Sequence, residues 1–164
     1  MKRFAWAALP LLALGACDKK EASPAAPPLS ASPRPEKIAN GEPAVVTVKH
    51  VLISFIGTPE TKATRTREEA EKLAFQVLDR ARSGEDFDKL MKDLSDDAPE
   101  GGIYSIVNQG VERRGEEYYR SGRERSLVKS FGDVGFRLEI GQIGIADYDP
   151  ETSPFGYHII KRVK

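Results

Sequence analysis

The chain has 164 residues, with 25 basic and 25 acidic side chains, two histidines and a single cysteine. Balanced charge gives no support for nucleic-acid binding, which favours a basic face, and one cysteine allows no intrachain disulfide. The length suits one domain with an ordinary core that needs neither disulfides nor metal.

The N-terminus reads as a targeting segment. Lys2 and Arg3 precede an apolar run from Phe4 to Leu14 that only Pro10 interrupts. The run is shorter than the roughly 20 residues that span a bilayer, and its basic flank and small closing residues describe a secretory signal. Leu14-Gly15-Ala16-Cys17 resembles the bacterial lipobox, whose cysteine takes lipid and becomes the new N-terminus. The expectation is a signal peptide over 1–16, lipid on Cys17, and a membrane-anchored protein facing the periplasm, on the inner or the outer membrane. Residues 17–44 hold Pro24, Pro27, Pro28, Pro33, Pro35 and Pro43 among many Ala and Ser, with no hydrophobic period. Such a segment cannot offset its ordering entropy. It reads as a disordered tether with a mean reach of roughly 30 Å.

Residues 45–164 read as the one globular domain. Val45 to Phe55 is rich in β-branched residues and predicts a strand ended by Gly57-Thr58-Pro59. Thr66 and Glu69 form a capping-box pair. Ala70, Leu73, Ala74, Val77, Leu78 and Ala81 then follow helical spacing until Ser83-Gly84 stops the helix. Phe87, Leu90, Met91 and Leu94 mark a second, shorter helix. Asp96, Asp97, Pro99, Gly101 and Gly102 mark a loop. Ile103 to Val107 predicts a short strand, Phe131 to Leu138 a short helix, Ile140 to Gly144 a turn entering a strand, and Tyr157 to Val163 the closing strand. Segregated helices and strands of this kind indicate an α+β domain. His50 and His158 each lie in a strand-like run near opposite ends of the domain, where a sheet could bring them together.

Several stretches in order carry a resemblance. They are Lys49-His50-Val51-Leu52-Ile53, Thr64 to Ala70, Ser83-Gly84-Glu85-Asp86-Phe87-Asp88-Lys89-Leu90, Leu94-Ser95-Asp96-Asp97, Gly101-Gly102, Phe131, Phe136, Gly141 and Phe155-Gly156-Tyr157-His158-Ile159-Ile160. Together they resemble the parvulin family of peptidyl-prolyl cis/trans isomerases over residues 48–164. The resemblance implies a parvulin-like (FKBP-like) fold, an antiparallel sheet of about four strands packed with three to four helices. It implies isomerase activity on proline-containing unfolded or nascent exported polypeptides, in aid of envelope-protein folding.

The resemblance also implies the site. His50 and His158 take the paired-histidine positions at the back of a proline pocket. Asp97 falls near the reacting carbonyl, where it would weaken carbonyl polarisation or hold the local network. Ser153 aligns with a hydroxyl residue near the second histidine. Leu127 and Phe131 take the positions that hold the proline ring, and Tyr104 lies near an apolar pocket position. No cofactor is expected. Two histidines without a cysteine in the domain fall short of the four ligands of a structural zinc site. Only Lys62, Arg65 and Arg67 stand where phosphate-reading members carry a basic loop, so no phosphate requirement is expected.

Two departures stand out. The family's Gly-Gly-Asp-Leu-Gly run appears as Gly101-Gly102-Ile103-Tyr104-Ser105, and a long polar piece rich in arginine, glutamate and tyrosine occupies 108–126. The latter reads as a solvated, self-paired loop or helix, or as a lid or client-binding edge. Both departures keep a second class open: a parvulin-fold chaperone or client-binding module with little or no turnover.

Overall fold

A computed structural model of the chain describes residues 33–97 and 102–164. The signal segment, Cys17, the tether as far as residue 32, and the loop markers Pro99 and Gly101 lie outside the described residues. The described residues form, in chain order, β1 (Val45–Ile53), α1 (Arg67–Arg82), α2 (Phe87–Leu94), β2 (Ile103–Val107), β3 (Tyr118–Tyr119), α3 (Lys129–Arg137), β4 (Ile143–Ala146) and β5 (Tyr157–Arg162). The strands make one sheet in the order β3-β2-β1-β5-β4. β1 lies antiparallel to both β2 and β5, and β5 antiparallel to β4. The fold is α+β, as the sequence predicts. One strand goes beyond the expected sheet: two residues of the 108–126 piece form β3, which runs parallel to β2 at the edge.

Alternation along a strand sends successive side chains to opposite faces. On one face Val51 and Ile53 of β1 and Tyr157 and Ile159 of β5 pack against Ala70, Ala74, Val77 and Leu78 of α1 and Phe87 and Leu90 of α2. On the other, Val46 and Val48 of β1, Ile106 of β2 and Ile160 of β5 meet Phe131, Val134 and Phe136 of α3. Each fully buried aliphatic side chain contributes about 1.5–3 kcal/mol relative to exposure. The helix entries form as their sequences predict. The Thr66 hydroxyl accepts from the Glu69 amide at 3.2 Å while the Glu69 carboxylate accepts from the Thr66 amide at 2.8 Å. Asp86 caps α2 by accepting from the Lys89 amide at 2.9 Å.

The tether expectation differs from the structure at its C-terminal end. Residues 33–44 pack on the domain: Ala44 is buried with Val107 and Val111, and Ile38 packs against them. Arg34 donates to both carboxylate oxygens of Glu117, at 2.7 and 2.9 Å, and Glu42 pairs with Arg120 at 3.0 Å. The Asn108 amide donates to the Ala44 carbonyl at 2.9 Å. Composition missed this segment because a single isoleucine shows no period. Its anchors are specific charge pairs with residues roughly eighty positions away.

Gly156 closes the turn into β5 at φ 132°, and a Cβ there would stand 2.4 Å from the Ile53 carbonyl oxygen. Both the backbone angle and the backbone-to-backbone approach require glycine. Gly156→Ala should therefore destabilise the domain by about 2–4 kcal/mol, read as a lowered urea midpoint at unchanged slope.

Candidate functional site

The β1/β5 register sets the site. Leu52 stands opposite His158 and His50 opposite Ile160, so the two histidines are diagonal neighbours on one face. Their rings stack 5.4 Å apart at 25°. Both are buried, at 3% and 5% exposure. Phe131, from the first turn of α3, meets both rings edge-on, 5.1 Å from His50 and 5.2 Å from His158. Tyr104 of β2 stands 5.3 Å from His50 and 5.8 Å from Phe131. A cleft of about 620 Å³ opens over this floor. His50, His158, Phe131, Tyr104, Leu127 and Asp97 all line it, so six of the residues predicted from the sequence come together.

Hydrogen bonds tie the two rings to each other and to Asp97. His50 Nε2 lies 3.0 Å from Asp97 Oδ2, and His50 Nδ1 lies 3.3 Å from His158 Nδ1. A carboxylate only accepts, so Nε2 of His50 donates to Asp97. In the Nδ1–Nδ1 contact one ring donates and the other accepts. His158 Nε2 is buried and has no hydrogen-bond partner among the described residues. Burial, reinforced by the neighbouring His50, pushes the His158 pKa down to about 3, so His158 is neutral at physiological pH. Burial and then the Asp97 carboxylate push the Tyr104 phenol above its usual range, and it stays a donor.

Asp97 owes its position to a stitched loop. The Ser95 hydroxyl accepts from the Leu52 amide at 3.0 Å and from the Asp97 amide at 3.3 Å. Asp96 accepts from the Ser54 amide at 2.8 Å and from the Ser54 hydroxyl at 3.0 Å. Arg65 donates to the Asp96 carboxylate and, at 2.8 Å, to the Ser54 carbonyl. The loop after α2 is thus bound to β1 along Leu52 to Ser54, which delivers the next carboxylate to His50.

Ser153 is found elsewhere. It is fully buried, its hydroxyl donates to the Gly156 carbonyl at 3.2 Å, and it is not among the residues that line the cleft. The turn that positions His158 directs this hydroxyl back onto its own backbone, which gives Ser153 a turn-closing role. Further wall residues, not among the expected site residues, are Ser54, Thr61, Asp96, Val128 and Phe155. Phe155 sits inside a recognised motif, and Asp96 beside Asp97, so position in the motif was the available signal for both. Nothing in the sequence points to Ser54 or Thr61, whose hydroxyls meet at 2.8 Å. Among the described residues no group of three or more His, Cys, Asp or Glu is arranged to hold a metal ion.

The arrangement offers an apolar well with two buried histidine rings as its floor and a carboxylate at one side.

Residues 36–164 match the sequence model of the PPIC-type PPIASE domain. The chain is 32% identical over 118 residues to foldase protein PrsA 4 of Bacillus cereus, covering 72% of this chain and 36% of that protein. It is 29% identical over 119 residues to chaperone SurA of Pseudomonas fluorescens, covering 71% of this chain and 22% of that one. The chain thus spans about a third or less of the length of these curated relatives. The peptidyl-prolyl isomerase ESS1 of Candida albicans has a similar fold, with a TM-score of 0.55 at 20% identity over 80% of this chain and 67% of that one.

The depressed pKa of His158 has a consequence for stability. The unfolded histidine takes a proton near pH 6.5 and the folded one only near 3, so between these values the unfolded state binds more protons. Stability is then fully present above about pH 6.5 and falls as the pH drops, by up to about 1.4 kcal/mol per pH unit. Urea denaturation between pH 6.5 and 5, above the range where ordinary carboxylates titrate, should show this slope. His158→Gln should flatten it.

Proposed function

Because the chain belongs to the PPIC-type peptidyl-prolyl isomerase family, we propose that the cleft over His50 and His158 is its isomerase site and that it serves the folding of exported envelope proteins. The observation that carries this reading is the edge-on packing of Phe131 over the paired histidine rings, inside the matched domain.

The chemistry follows from the peptide bond. Rotation about Xaa-Pro is slow, on the order of tens to hundreds of seconds, because the C–N bond has partial double-bond character. No bond must break. The site has only to bind the twisted imide better than either planar form. Phe131, Leu127 and the Tyr104 ring would grip the pyrrolidine ring and exclude water, and a dry surrounding disfavours the charge-separated resonance form. The His50–His158 pair, joined Nδ1 to Nδ1 and buried, is a brace and not an acid or base. Asp97 stands on the side where the carbonyl would swing and sets a negative charge against its polarisation.

The cleft has room for neighbouring residues of the client but little basic character. Arg65 is held by Asp96 and the Ser54 carbonyl, and Arg67 lies 4.9 Å over the Tyr148 ring. Among the described residues, Lys62 is the remaining Lys or Arg that lines the cleft. A phosphate before proline would favour a denser arginine cluster, so unmodified Xaa-Pro segments are the proposed substrates.

A coupled proline-isomerisation assay of the full chain on short Xaa-Pro peptides tests the reading. Turnover at the uncatalysed rate by folded protein would end it. Phe131→Leu keeps the apolar volume but loses the edge-on ring contacts. It should lower kcat/KM by about three- to tenfold, in line with roughly 0.5–1.5 kcal/mol for such contacts.

Anchoring is part of the same proposal. The lipobox-like Leu14-Gly15-Ala16-Cys17 supports lipid on Cys17, and no helix among the described residues is long and apolar enough to cross a membrane. Cells fed labelled palmitate should label the wild-type chain and recover it with membranes. Cys17→Ser should abolish both label and membrane recovery.

A further inference from the structure

Tyr104 was expected as an apolar wall, yet its hydroxyl makes a directed bond. It donates to Asp97 Oδ2 at 3.3 Å, the same oxygen that His50 Nε2 reaches at 3.0 Å. The two donors come from adjacent strands, β2 and β1. Each directed donor on a carboxylate further restricts its swing.

The phenol is itself braced from behind. Tyr118 meets the Tyr104 ring edge-on at 5.2 Å. Tyr118 belongs to β3, the strand supplied by the 108–126 piece, and pairs with Ile106 of β2. The Arg125 guanidinium lies 5.0 Å over the Tyr118 ring and pairs with Glu116. A line of contacts therefore runs from Arg125 through Tyr118 and Tyr104 to Asp97. The sequence departures at Tyr104 and at 108–126 meet at this one point.

Resting on the isomerase reading above, we propose that Tyr104 is a positioning residue for turnover. Its hydroxyl holds the Asp97 carboxylate in its charged form and in fixed orientation beside the cleft, and the 108–126 piece serves as its brace through Tyr118. A donor to the ionised form of a carboxyl stabilises that form. A phenylalanine at 104 would build the same apolar wall without this donor. Among the described residues, the charged and titratable groups near Asp97 include His50 from β1, Tyr104 from β2, His158 from β5, the neighbouring Asp96 with Arg65 bound to it, and Glu60 and Lys62 of the same cleft.

The test uses Tyr104→Phe in the full chain. The Asp97 side-chain carboxyl carbon is followed by 13C NMR against pH, and kcat and KM are measured on an Ala-Pro peptide. The Asp97 midpoint should rise by about half a pH unit or more. kcat should fall about three- to tenfold while KM stays within about twofold. Tyr118→Ala should move the midpoint and kcat in the same directions by less. A Tyr104→Phe midpoint equal to the wild type would overturn the proposal, because an apolar wall alone predicts no change. A shifted midpoint with unchanged kcat would overturn the role in turnover, and an unmoved midpoint in Tyr118→Ala would overturn the brace. If the wild-type chain shows no turnover, the isomerase reading fails separately, and the midpoint still decides whether Tyr104 holds Asp97.

Discussion

The register of β1 on β5 is the constraint from which the site follows. With Leu52 opposite His158, the even-numbered residues His50 and His158 share a face and their rings stack. A slip of one residue would send one strand's whole even-numbered set to the opposite face. His158 would then enter the aliphatic layer beneath α1 and α2, and Ile159 would take its place beside His50. The register is well specified because both faces are buried. Val51, Ile53, Tyr157 and Ile159 must meet α1 and α2, while Val46, Val48 and Ile160 must meet α3. Gly156 adds a steric stop at the start of β5, since its backbone lies too close to Ile53 for any side chain.

Once the histidines are paired in a dry layer, their chemistry narrows. Desolvation keeps His158 neutral. The Nδ1–Nδ1 contact and the His50–Asp97 bond make the pair a polar floor anchored at Asp97. Phe131 completes it from α3, whose Asp133 is held by Arg120 at 2.9 Å and by Lys129 at 2.6 Å. Arg120 also pairs with Glu42 and accepts the Phe136 ring beneath its guanidinium at 4.8 Å. The segment from 33 to 44 and the 108–126 piece are therefore tied to the same helix that supplies the cleft wall.

Much of this was legible in the chain. The capping box at Thr66 and Glu69, the helical spacing from Ala70 to Ala81, and the β-branched run at Val45 are local signals, and each formed its element. The two histidines, Asp97, Phe131, Leu127 and Tyr104 were also identifiable, because the landmarks between them occur in order, and all of them line the cleft. Ser153 lies outside the cleft lining. A hydroxyl near a histidine in sequence can satisfy its own turn, and only the backbone path after Asp149 shows that it does. The packing of 33–44 was missed for a related reason. Arg34 and Glu42 find Glu117 and Arg120 through folding, and a proline-rich composition says nothing about such distant pairs.

The sequence by itself determined the elements, their caps and the residue types available for the site, because these depend on interactions a few positions apart. Tertiary structure decided which of those residues share a face, that the histidines meet through their Nδ1 atoms, and that the Tyr104 hydroxyl and His50 converge on one oxygen of Asp97. Those outcomes depend on strand register and on burial. Both are properties of the whole packed sheet and are carried by no single segment of the chain.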